Sequence, residues 1–229
     1  MNHMGFKDLI QGLIEEAALS MGVAASNVRW AFSHGGAYTS KDDLQEFTSG
    51  TGSVAPGTTG TRATRAFAVT GVGVGVARGI TGNIIGGWTT VTRACFVKGR
   101  IARSGTLAAG SDQHIGFQNS PFNHGVGIGV FESISATNFS VVKCASDVYT
   151  GVDTGIALTS GQVELKLYRT TAGTWFWQIN TGAITSMTTT GQPTSGNEAY
   201  GHIMVTNAAA ATALTLTQDY VFWAGQRTA

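Results

Sequence analysis

Charged side chains are scarce in this sequence: Asp, Glu, Lys and Arg make up 12% of its 229 residues, where an average globular chain carries about 25%. Thr, Ser, Ala and Gly take their places, while apolar residues stay at 42%, so the composition is not that of a disordered polymer. A surface so poor in charge fits a protein partly covered by neighbours in an assembly, because a solvated monomer keeps more charge exposed. With a net charge of +1, the chain lacks the concentration of cations that phosphate contacts need, which argues against nucleic-acid binding. Only Cys95 and Cys144 are present; they are too few for a disulfide framework and are read as free, mostly buried thiols. No apolar run approaches the length of a bilayer span, and the N-terminus lacks the basic and apolar regions of a signal peptide. Synthesis in the cytoplasm without membrane insertion is therefore expected.

The little charge there is lies unevenly. Residues 1–50 carry six carboxylates against Lys7, Arg29 and Lys41, whereas residues 51–111 hold Arg62, Arg65, Arg78, Arg93, Lys98, Arg100 and Arg103 with no carboxylate. Such complementary segments suit contacts between subunits or with an acidic partner, Arg62, Arg65 and Arg78 being the candidates, or else a chance excess on a solvated face.

Phe6, Leu9, Ile10, Leu13, Ile14, Ala17, Ala18 and Met21 recur at spacings of three and four, which predicts an amphipathic helix over 6–21 ended by Gly22. An isolated helix of this length is marginal in water, so the stripe must be covered. A low-complexity stretch follows rather than an immediate return to a core, so docking of the stripe (Phe6, Leu9, Ile10, Leu13, Ile14 and Ala17) into a partner chain is expected in preference to packing on its own domain. The segment 47–65 reads FTSGTGSVAPGTTGTRATR, the composition of an exposed arm. Beyond it Val69, Val72, Val74 and Val76 are interleaved with glycines, which predicts a strand with one bare face, suited to adding onto a neighbouring sheet.

From Trp88 onward the chain reads as short strands at 88–103, 113–119, 125–133, 137–144, 162–169, 174–180, 183–188, 200–207 and 213–223, with no helical run between them. A mainly β, antiparallel β-sandwich is expected, preceded by the helix and the arm. The boundaries drawn are a helical attachment region at 1–50, a Gly/Ser/Thr-rich arm at 51–87 and a sandwich at 88–229. The segment VELKLYRTTAGTWFWQINTG, the strand from Tyr200 to Asn207, and the closing strand with Leu216, Asp219, Tyr220 and Val221 together resemble the concanavalin A-like jelly-roll modules of tailed-phage virion proteins. That resemblance implies a virion structural protein, a capsid decoration, head-fibre or tail-fibre component. It would be assembled in the host cytoplasm, homotrimeric, and in contact with other virion proteins.

Within such a fold, sugar cleavage needs two carboxylates at a controlled separation. After residue 111 the carboxylates are Asp112, Glu132, Asp147, Asp153, Glu164, Glu198 and Asp219, no two within four positions. No Cys–His spacing marks a nucleophile, and His114 and His124 are read as strand-end or turn residues. No catalytic residue, metal or cofactor is expected. The alternative is a lectin or receptor-binding module for a host surface glycan. Trp175 and Trp177 share one strand face and, with Tyr200 and Tyr220, would either stack on sugar rings, line a subunit contact or pack the core.

Overall fold

The computed structural model describes residues 3–34, 44–59, 62–79, 89–90, 93–118, 124–145, 148–187, 198–207 and 213–227. A helix, α1 (His3–Met21), is followed by the strands β1 (Val28–His34), β2 (Leu44–Thr59), β3 (Arg62–Gly79), β4 (Thr89–Thr90), β5 (Cys95–Ser104), β6 (Asp112–Gln118) and β7 (His124–Phe131). Then come β8 (Asn138–Ala145), β9 (Val148–Ala157), β10 (Val163–Arg169), β11 (Trp175–Ile179), β12 (Thr185–Ser186), β13 (Glu198–Asn207) and β14 (Leu214–Gln226). The fold is mainly β and antiparallel, as the strand spacing predicts.

Hydrogen bonding follows the order β12-β11-β10-β5-β14-β3-β13-β6-β7-β8-β9, with β1 added on β14, β2 on β3 and β4 on β13. Strand β3 carries this path from one layer to the other. Its residues 65–69 pair with β14, and its residues 73–78 pair with β13. The first layer is therefore β12-β11-β10-β5-β14-β1 and the second β13-β6-β7-β8-β9. Alternation points Val97, Leu165, Leu167, Val221 and Trp223 of the first layer at Ile115, Phe117, Ile128, Val141 and Ile203 of the second, in one buried core. The Trp223 indole N–H donates to the Gly116 carbonyl at 3.2 Å, tying the layers together. Gly201 makes room for that ring, since a Cβ there would stand 2.7 Å from it.

The helix does not wait for another chain. Ile10, Leu13, Ala17, Ala18 and Met21 form a second apolar cluster with Val28, Phe32, Phe96, Tyr168, Phe222 and Ala224 on the outer face of the first layer. Phe96 meets Phe222 edge-on at 6.1 Å, and Tyr168 stacks on Phe176 at 5.3 Å. This corrects the expected docking into a partner: an outer sheet face rich in aromatic side chains needs a cover, and the chain supplies it. Leu9 lies partly exposed and Ile14 packs at the margin; the Phe6 side chain falls outside the described residues.

The glycine-rich segment is corrected in the same sense. Its backbone hydrogen bonds go to β2, β13 and β14 of the same chain, and Phe67 and Val69 are fully buried in the shared core. Strand β3 joins the two layers and β1 extends the first of them.

Candidate functional site

Period-two alternation places Lys98 and Arg100 of β5, Glu164 and Lys166 of β10 and Tyr220 of β14 on the helix side of the first layer. Register then sets Lys98 directly opposite Lys166, and Arg100 opposite both Glu164 and Tyr220. Two lysines facing each other repel. Glu16 of α1 resolves this, accepting from Lys98 Nζ at 2.9 Å and from Lys166 Nζ at 3.2 Å. Next to it, Glu164 takes Lys98 at 3.1 Å, Arg100 at 3.9 Å and the Tyr220 hydroxyl, which donates at 2.8 Å. An extra residue bulges the last strand between Gln218 and Tyr220, and that residue, Asp219, pairs with Arg100 at 3.5 Å. The guanidinium also lies 5.6 Å from the centre of the Tyr220 ring.

Burial opposes the charge on Glu16, yet Lys98 and Lys166 hold its carboxyl below the ordinary value. Burial likewise opposes the charge on Lys98, which Glu16 and Glu164 nevertheless keep raised. The Tyr220 phenol is pushed up by burial and then by the Glu164 charge, so it stays a donor at neutral pH. Arg100 and Glu164 keep 34% and 28% of their side-chain surface open to solvent. The row thus offers a partly exposed cation and carboxylates, Arg100, Glu164 and Asp219, above the largely buried Tyr220 ring.

The tryptophans lie elsewhere. Trp175 and Trp177 do share a face, as predicted, but it is the inner one, and they are 2% and 6% exposed in the core. This excludes them from stacking on a sugar; Phe176 points outward instead, onto Tyr168. Tyr220 belongs to the row, while the Tyr200 side chain falls outside the described residues. Arg65 is buried and its charge acts on His34, holding that imidazole below its ordinary value after burial itself. The side chains of Arg62 and Arg78 are outside the described residues, as is that of Cys144. Lys98, Arg100, Glu164 and Asp219 escaped sequence reasoning as a group. The alternating charges of VELKLYR were visible, but only strand register brings their partners across.

Cys95 is fully buried and its thiol is pushed up to about 12, so it holds no thiolate at neutral pH. Glu132 and Glu164 sit on different layers. Asp112 and Glu132 do come close at one end of the second layer, where burial raises the Asp112 carboxyl to about 7, against the Thr206 hydrogen bond and with a further push from Glu132. Among the described residues no three His, Cys, Asp or Glu side chains converge to hold a metal ion, and no helix is long and apolar enough to cross a membrane. His114 corrects its expected place at a strand end: it lies within β6 and is buried.

No family and no curated protein matches the sequence. Solved structures do match the fold. A protein of unknown function from Shewanella oneidensis MR-1 superposes with a TM-score of 0.64 at 11% identity, over 87% of this chain and 86% of that one. Botulinum neurotoxin type C, which enters cells through interaction with two ganglioside molecules, gives 0.54 at 9% identity, over 88% of this chain and 49% of its own. The chain therefore spans about half the length of that toxin chain. A conserved carbohydrate esterase from the Shiga toxin-encoding bacteriophage phi24B gives 0.51 at 14% identity, over 86% and 90% of the two chains. At these identities the likeness is one of fold, and it supports the sandwich.

Proposed function

We propose that this chain is a non-enzymatic recognition module of a tailed-phage virion, which binds carbohydrate of the host surface through the row of Arg100, Glu164, Asp219 and Tyr220. The observation that carries the reading is that row: charged and hydroxyl groups fixed by register, partly solvated, and set beside an aromatic ring. Such a surface recognises sugar hydroxyls by directed hydrogen bonds. Its carboxylates are each paired with a cation rather than poised for proton transfer. The ganglioside-binding toxin and the phage carbohydrate esterase lend support as sandwiches whose names involve carbohydrate. The low charge of the sequence supports life in an assembly, with the homotrimer, the other virion proteins and the head- or tail-fibre location belonging to the same proposal.

The test is a glycan array probed with the purified full chain, alongside assays for released reducing sugar and released acyl groups on the glycans retained. Retention without turnover is the expected result. Turnover that disappears in Glu132→Gln or Asp112→Asn would replace this reading with a polysaccharide-modifying enzyme working at the end of the second layer.

A further inference from the structure

Alternation along β6 and β13 sends Ile115, Phe117, Ile203 and Val205 into the core and sets His114 and His202 on the opposite side of the second layer. Both imidazoles are buried, at 3% and 1% exposure. Their ring centres lie 4.7 Å apart at 80°, and His114 also stacks on Phe131 at 4.5 Å. Gly127 admits that stack, since a Cβ there would stand 3.0 Å from both His114 Cδ2 and Phe131 Cζ. Among the described residues, neither ring nitrogen of His202, nor Nδ1 of His114, has a hydrogen-bond partner. An imidazole in such a place is costly when neutral and far more so when charged, because those nitrogens find no described group to replace the lost water. Asp112 is two residues from His114 on the same face of β6, Glu132 follows Phe131 at the end of β7, Glu198 opens β13, and Arg78 of β3 is the register partner of His202.

We propose that the His114–His202 pair is an acid sensor built into the second layer: uptake of a proton by either ring opens β6 and β13, while the first layer stays closed under its helix. The pair is independent of the carbohydrate reading, since it lies on the other layer from the polar row.

The sign follows from the groups present. Burial pushes His114 down to about 3, and burial together with its neighbour lowers His202 well below the ordinary value. Each therefore contributes stability that is present above about 6.5 and lost as the pH falls below it. Asp112 acts oppositely: raised to about 7 by burial, it takes up a proton in the folded state before the unfolded one, and so gains stability as the pH falls. Each proton excluded or taken up changes the unfolding constant about tenfold per pH unit. Between about pH 6.5 and 4.5 the native chain should lose about tenfold in folding equilibrium per unit from these three groups. Asp112→Asn should steepen the loss to about a hundredfold. The double variant His114→Phe, His202→Leu should reverse it to a gain of about tenfold. His34, also lowered by burial and Arg65, is common to all three chains and drops out of their differences.

Denaturant unfolding of the full chain and these variants across that pH range tests the inference. Slopes that separate in this order bear it out, and equal slopes for the native chain and the double variant overturn it. Should the double variant fail to fold, imidazole titration of the native chain by nuclear magnetic resonance still decides. Both rings neutral in the folded protein at pH 5.5 is the expected result; either ring protonated there while the fold persists overturns the proposal. Amide exchange locates the opening, which should quicken in β6 and β13 on acidification, beyond the intrinsic change, before it does in β5 and β10. Simultaneous quickening in both layers would contradict a sensor confined to the second.

Discussion

The two layers share one core but treat their outer faces differently. The first layer turns Phe96, Tyr168, Phe222 and Ala224 outward and covers them with a helix, whose far edge is fastened by Glu16 across Lys98 and Lys166. The second layer turns out two buried histidines in ring contact, the His114 stack admitted by glycine at 127. What differs is tolerance of change: a covered aromatic face depends on its cover, and a histidine face depends on remaining uncharged.

The largest effect that would break this contrast is deletion of residues 1–79. That cut removes the helix, the edge strand β1 and the joining strand β3, with Phe67 and Val69 from the shared core. The remainder should fail to fold, with no cooperative transition by circular dichroism. A folded remainder would restore the helix and arm as mere attachments. Leu13→Asp comes next, because it sets a carboxylate at a position 4% exposed. A loss of about 3 kcal/mol or more in denaturant unfolding of the whole chain is expected. An unchanged unfolding midpoint would mean that the helix does not belong to the fold.

On the second layer, Gly127→Ala adds a methyl group where His114 and Phe131 leave no space, and about 1–3 kcal/mol should be lost. The same measurement checks it, and a neutral result would show that the histidine stack yields easily. The smallest effect is that of Glu16→Gln, about 1 kcal/mol at pH 7 for a partly exposed network. Its direction with pH is fixed by the lowered carboxyl: the contribution is present above 4.5, the ordinary value, and disappears as the pH falls through the folded one. The native chain and the variant should therefore converge in stability under strong acid, and a gap that persists there would sever Glu16 from its lysines.

Much of this was legible in the sequence, for physical reasons that also explain the rest. Strands β5 to β8, β10, β11, β13 and β14 announce themselves because one face of each enters the core. Strand β9, at Val148–Ala157, is missed: it closes the second layer at its edge, and its Gly151, Asp153 and Gly155 interrupt any apolar alternation. Strand β2 reads as an arm because its Gly, Ser and Thr residues carry no packing signal, and only its pairing along β3 makes it a strand. The helix is plain from its stripe, but a stripe does not say which surface covers it. Period two groups Trp175 with Trp177 correctly. It does not say that their side faces inward, because β11 carries a large aromatic on its other face too, at Phe176. The polar row depends on register between β5, β10 and β14, which joins residues more than fifty positions apart.

The central claim, recognition without chemistry at the row beside the helix, is tested most directly by comparing glycan-array binding of the native chain with that of Arg100→Ala. Arg100 is the residue that holds both Glu164 and Asp219. With folding verified by circular dichroism, the account predicts binding by the native chain that falls at least about tenfold in the variant, the equivalent of 1.4 kcal/mol. Native-strength binding by Arg100→Ala would contradict it.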